Sequence, residues 1–223
     1  MIRFERDRNC LWFPPSPAAA GTRPPAIVFL HGIGERGLGG AELSRVALWG
    51  LPKLRASAAP AGRAFAVIAP QCPPDRRWTD ADVLDALDVL AASIAGDGGC
   101  DPRRLHLAGF SMGGIGAFAW ALRRPGLFAS LVSVCGACEE PERLAELATL
   151  PAWIAWAEDD EIVRLTRGSR EAATGLAAYG RLVARSYRLG PQGGIGAHPR
   201  TADAAFSEEI LYLWLREQQL PVV

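Results

Sequence analysis

The segment Leu105-His-Leu-Ala-Gly-Phe-Ser-Met-Gly-Gly114 constrains this chain more than any other. A short apolar run of strand character delivers Ser111 into Gly109-x-Ser111-x-Gly113, and a helix-forming stretch follows at once. A serine hydroxyl is a poor nucleophile at neutral pH. It must stand proud of the backbone, beside a base and near backbone N–H donors, and a tight strand-to-helix turn does this. Such a turn strains the serine backbone, and glycines two residues to either side let strand and helix approach closely. Gly-x-Ser-x-Gly arises by chance in many chains; the flanking strand and helix make it specific here.

That turn calls for an acid and a histidine downstream, in the order Ser, acid, His. Of the three histidines, His31, His106 and His198, only His198 follows Ser111. It falls in Gly193-Gly-Ile-Gly-Ala-His-Pro-Arg200, expected as a flexible loop ahead of a final amphipathic helix over 202–217. The acid should end the strand between the two, and Pro151-Ala-Trp-Ile-Ala-Trp-Ala157 runs into Glu158-Asp-Asp-Glu161. Asp160 is preferred because Asp160-x-x-Val163 matches the turn usual after this strand, with the valine packed under the acid loop; Asp159 is the alternative. The other carboxylates read as an acidic helix N-terminus.

Upstream, Pro25-Ala-Ile-Val-Phe-Leu30 has the pattern of a buried strand and opens into His31-Gly-Ile-Gly-Glu-Arg-Gly37. The backbone N–H groups of Ile33 and Met112 are the expected oxyanion hole, with His31 orienting the turn. Glu35 and Arg36 either contact a polar leaving group or pair with each other. Trp78 follows the next strand, over 64–69, and either walls the substrate pocket or belongs to the core. Gly32-x-Gly34-x-x-Gly37 also fits a dinucleotide fingerprint. That reading fails on context: no helix opens directly from it, and the next strand ends in Pro70-Gln-Cys-Pro-Pro74 rather than in a ribose-binding carboxylate.

Phe29-Leu-His-Gly-Ile-Gly-Glu-Arg-Gly37, Ala69-Pro-Gln-Cys-Pro73, Gly109-Phe-Ser-Met-Gly-Gly114, Asp160-x-x-Val163 and His198 together resemble the α/β-hydrolase superfamily. Within it the chain is most similar to the small phospholipase/carboxylesterase group, including acyl-protein thioesterase-like enzymes, and to predicted-peptidase and feruloyl-esterase-like proteins. The resemblance implies an α/β-hydrolase fold, a mostly parallel central sheet with helices on both faces and a minimal cap or none. It also implies a serine esterase with a Ser-His-Asp triad of Ser111, His198 and Asp160. Such an enzyme cleaves a small or medium-sized ester or thioester through an acyl-serine, without metal or organic cofactor. A peptidase or amidase on the same triad, and a catalytically silent binding protein, are the competing readings.

Composition agrees. A chain of 223 residues suits one domain over 1–223 and leaves no room for a large inserted cap. Basic and acidic residues balance at 24 each, which provides no electrostatic footprint for nucleic acid. No run approaches the ~20 apolar residues of a membrane span, and Met1-Ile-Arg-Phe-Glu-Arg-Asp-Arg8 lacks a signal-peptide core, so a cytoplasmic protein is expected. A homodimer is left open. The five cysteines are irregularly spaced, which argues against a disulfide framework, and Cys135-Gly-Ala-Cys138 reads as thiols at a strand end. Asp82, Asp85 and Asp88 read as the solvated face of a helix rather than a metal-binding row.

Overall fold

The computed structural model describes residues 2–16, 22–57, 62–96, 99–190 and 192–221. Among the described residues seven strands form one sheet: β1 (Cys10–Phe13), β2 (Ala26–Leu30), β3 (Ala66–Pro70), β4 (Leu105–Phe110), β5 (Ser130–Val134), β6 (Ala152–Ala157) and β7 (Leu182–Tyr187). Their spatial order is β1-β3-β2-β4-β5-β6-β7; only β1 runs antiparallel, against β3. Strands β2 to β6 are built from apolar, often β-branched residues and are almost wholly buried, as a parallel sheet covered on both faces requires.

Six α-helices among the described residues cover the sheet: α1 (Gly50–Ala56), α2 (Ala81–Gly96), α3 (Met112–Arg123), α4 (Val163–Ala177), α5 (Ala197–Ser207) and α6 (Glu209–Glu217). Alternate strand residues feed two cores. Val28, Leu30, Ile68, Leu107, Leu131 and Ile154 pack with α2, α3 and α4. Ile27, Phe29, Val67, Val132, Val134 and Trp153 face α1, α5 and α6. The aspartates of α2 do more than meet solvent: Asp82 binds Arg76, while Asp85 and Asp88 bind Arg123 of α3, and Asp88 also takes the Trp120 Nε1–H at 2.8 Å. Asp85 and Asp88 thereby tie α2 to α3.

Residues 40–47 form a 3₁₀ segment ahead of the short α1. One expectation about helices changes. The final helix is two: α5 starts at Ala197, before Pro199, and Glu208 adopts an extended conformation that ends it. Proline is tolerated in a first helical turn, where its missing N–H has no carbonyl to meet, so it does not delimit α5.

Sheet order reverses between β2 and β4, and ligands of open α/β sheets gather beyond the carboxyl ends of the strands at such a point. Here α3 begins against the end of β2. A Cβ on Gly113 would stand 1.8 Å from the Leu30 carbonyl oxygen, and one on Gly109 would stand 2.1 Å from the Gly113 oxygen. Alanine at a helical position normally gains up to about 1 kcal/mol over glycine, but backbone cannot step aside as a side-chain tip can. Gly113→Ala is therefore expected to destabilise by about 3 kcal/mol or more. Gly34→Ala, with no atom within 4 Å of the added carbon, should stay within about 0.5 kcal/mol of wild type; denaturant unfolding of both checks this.

Candidate active site

Ser111 sits between β4 and α3 at φ 56°, ψ −118°, a left-handed conformation that a side-chain-bearing residue adopts only when its surroundings enforce it. The enforcement is visible: its N–H donates to the Val134 carbonyl at 2.9 Å, and its own carbonyl accepts from Ile115 N at 3.1 Å. The hydroxyl then meets His198, with Oγ 2.9 Å from Nε2. On the other side of the ring, Nδ1 lies 2.7 Å from Asp160 Oδ2. All three residues are more than nine-tenths buried, and the Phe110 ring packs on the imidazole at 4.9 Å between centroids.

Asp160 and Asp159 separate cleanly. Asp160 Oδ1 accepts the Ile162 N–H at 2.7 Å, which aims Oδ2 at the imidazole. Asp159 instead accepts the Leu189 and Gly190 N–H groups at 3.3 and 2.7 Å, and these bonds hold its carboxyl below the usual range. Glu158 binds Trp156 Nε1 and Arg170. Glu161 reaches the backbone of Ala197 and His198. The four carboxylates thus have four tasks, and none belongs to the first turn of α4, contrary to the acidic N-terminus expected. Val163 also departs from expectation: it opens α4 at 69% exposure and does not pack under the acid loop.

His198 is not loop-borne; it lies in the first turn of α5. Ile33 opens a 3₁₀ turn over 33–35 and Met112 opens α3, so neither N–H has a partner within its own helix. His31 fixes the first of these turns. Its Nδ1–H donates to the Gly32 carbonyl at 2.6 Å and its Nε2 accepts the Cys72 N–H at 3.0 Å; burial pushes its pKa down to about 4, so the ring is neutral. Gln71 adds ties that the sequence reading passed over: Nε2–H donates to the Glu35 and Glu42 carbonyls at 2.9 and 2.8 Å, and Oε1 accepts the Gly39 N–H at 2.9 Å.

Trp78 belongs to the core. It is fully buried, donates Nε1–H to the His31 carbonyl at 2.9 Å, and stacks edge-on to His31. It leaves no room for a Cβ on Gly116 of α3. It therefore supports the turn after β2 from beneath rather than lining a pocket; a strand-end position does not reveal which way a side chain turns. Nor do Glu35 and Arg36 pair. Arg36 donates to the Ile33 and Arg76 carbonyls at 3.0 and 3.3 Å, closing the turn on itself.

Ligand atoms of Cys135, Asp160 and His198 lie within 4.8 Å of one another. Cys135 ends β5 at φ 49°. Burial and the Asp160 charge push its thiol well above the ordinary range, where it is a poor thiolate ligand, and both ring nitrogens of His198 are engaged. A cation here would have to break the Asp160 and Ser111 bonds, so the cluster fits a hydrogen-bonded chain better than a metal site.

Glu35 turns inward, with Oε2 buried, without a hydrogen-bond partner, and 3.9 Å from the neutral His31 ring. Burial raises its pKa from 4.5 to about 7, against the opposing pull of the Gly32 N–H and His198. The folded state therefore holds this proton more tightly than the unfolded chain. The stability that this group contributes is fullest below pH 4.5 and is lost as pH rises through about 7. Glu35→Gln removes the titration, so it should match wild type near pH 4 and exceed it at pH 8 by roughly 3 kcal/mol, at about 1.4 kcal/mol per unit; urea unfolding at the two pH values checks the sign.

The sequence pattern of the alpha/beta hydrolase family matches residues 27–219. No curated protein matches the chain. Among solved structures, a thermostable esterase superposes with a TM-score of 0.74 at 27% identity, over 94% of this chain and 59% of that one, so the chain spans less than two thirds of that protein. Esterase PE8 is similar with a TM-score of 0.62 at 22% identity, over 95% of this chain and 99% of that one. Acyl-protein thioesterase 2 of Zea mays is similar with a TM-score of 0.56 at 18% identity, over 92% and 99%. These last two likenesses concern the fold. With a match over most of its length and the sheet order described above, the chain belongs to the alpha/beta hydrolase family.

Proposed function

We propose that the protein is a serine esterase that cleaves small or medium-sized carboxylic esters or thioesters through an acyl-serine intermediate. The observation that carries the reading is the continuous hydrogen-bond chain Asp160–His198–Ser111, at 2.7 and 2.9 Å, on a serine backbone of positive φ. The esterase that superposes at 27% identity supports the ester class.

The chemistry follows from the placement. His198 Nε2 takes the Ser111 proton as Oγ attacks the acyl carbon, and the buried Asp160 carboxylate keeps the proton on Nδ1 and stabilises the imidazolium. The negative charge that develops on the carbonyl oxygen is met by the Ile33 and Met112 N–H groups, on the order of 3 kcal/mol per donor. These donors are prepared in advance: Gly113 abuts Leu30, which brings the start of α3 against the turn that carries Ile33. His198 then returns its proton to the leaving alcohol or thiol, and water, activated by the same base, releases the acid.

Ser111→Ala and His198→Ala are expected to reduce ester turnover to background. Asp160→Asn should cost about 10⁴ in kcat while the protein stays folded. A fluorophosphonate probe should label wild type and not Ser111→Ala, and a panel of acyl esters, thioesters and peptide amides ranks the substrates. Label retained in Ser111→Ala, or turnover of amides alone, would overturn the reading.

A further inference from the structure

The acyl-transfer steps use one carboxylate of the acid loop, Asp160, and of the other three only Glu161 reaches the main chain of His198. Glu161 Oε1 accepts the Ala197 N–H at 2.5 Å and Oε2 accepts the His198 N–H at 3.0 Å. These are the first N–H groups of α5, which no carbonyl of the helix can reach. The residue that would ordinarily cap them is Gly196, which has no side chain to offer, and the next residue, Pro199, has no N–H to satisfy. The cap is therefore supplied from a different loop.

Gly196 makes this possible. A Cβ there would stand 2.0 Å from Glu161 Oε1, whereas its backbone, at φ −70° and ψ 173°, is open to any residue. Space for the carboxylate, not backbone conformation, accounts for the glycine. Partial burial draws the Glu161 pKa upward, and the N–H groups of His198 and Ala197 outweigh it and leave it below the usual range. The group is thus ionised at neutral pH, and a negative charge is favoured at a helix N-terminus.

Asp160 and Glu161 are consecutive, and both hold His198: one by the ring, the other by the main chain. We propose that Glu161 is a positioning residue for His198, fixing the first turn of α5 to the acid loop so that the imidazole stays in register with both Asp160 and Ser111. Two adjacent carboxylates then set the ring's direction and its point of attachment together. The inference rests on the reading of His198 as the base. Without the carboxylate the first turn frays, and a misplacement of about 1 Å can cost roughly a hundredfold in rate.

Full-length Glu161→Ala, Glu161→Gln, Gly196→Ala and the Glu161→Ala/Gly196→Ala double variant test it, with p-nitrophenyl acetate kinetics and fluorophosphonate labelling rates. Glu161→Ala should lose roughly ten- to a hundredfold in kcat, with KM within about twofold of wild type. Glu161→Gln keeps an acceptor for one N–H and turns an NH₂ towards the other, so it should recover only part. Gly196→Ala should reproduce the loss in wild type and add nothing in the Glu161→Ala background, because both remove one contact. A cap that served stability alone would lower Tm and leave kcat of the folded protein intact. Wild-type kcat in Glu161→Ala, or equal cost of Gly196→Ala in both backgrounds, overturns the proposal. Amide hydrogen exchange at Ala197 and His198 reads the same contact without turnover. If wild type fails to label at Ser111, the esterase reading falls, and exchange alone then decides: protection lost in Glu161→Ala upholds the positioning, protection retained overturns it.

Discussion

Everything at this site depends on two backbones meeting with no side chain between them, where α3 begins against the end of β2. Glycine at 113 permits that approach, and the Leu30 carbonyl marks its limit. Closer contact is impossible and a wider gap would part the Ser111 turn from the turn that carries Ile33. The left-handed serine follows from the same geometry, since the chain must reverse from β4 into α3 within one residue. Its strain is held by the ordinary hydrogen bonds of Ser111 N and O with the neighbouring strand and helix. Precision at Ser111 is thus inherited from a crowded main chain, which cannot relax by rotating a bond.

A second layer of the design is polar and mostly neutral. His31 is buried uncharged, Gln71 makes three bonds to main chain, and Trp78 makes a fourth to the same region. These groups stiffen the turn after β2 without adding charge of their own. Charge is concentrated instead in the acid loop, where each carboxylate is matched to N–H groups, an arginine or the imidazole. Glu35 is the exception, a buried acid with an oxygen left over.

Much of this was legible in the residues. β2, β5 and β6 stand out as short apolar runs rich in β-branched and aromatic side chains between breakers, and α3 as the stretch bounded by Ser111 and the arginines. The order serine, acid, histidine is visible along the chain because each follows a strand. What escaped was set by contacts distant in sequence. The start of α5 is hidden because its cap comes from Glu161, and Pro199 then looks like a stop. The burial of Trp78 and the exposure of Val163 depend on which way a loop turns, and no local pattern encodes that. The carboxylates over 158–161 look interchangeable until the N–H groups they face are in place.

One margin of the sheet bears on whether a strand from another chain can add to it. β7 is an outer strand, half exposed, and it carries Arg185 beside Glu208 and over the Trp153 ring. An unpaired rim of main-chain donors and acceptors invites strand addition, and bulky charged side chains along it discourage that. Extension of the sheet from molecule to molecule is disfavoured along this rim.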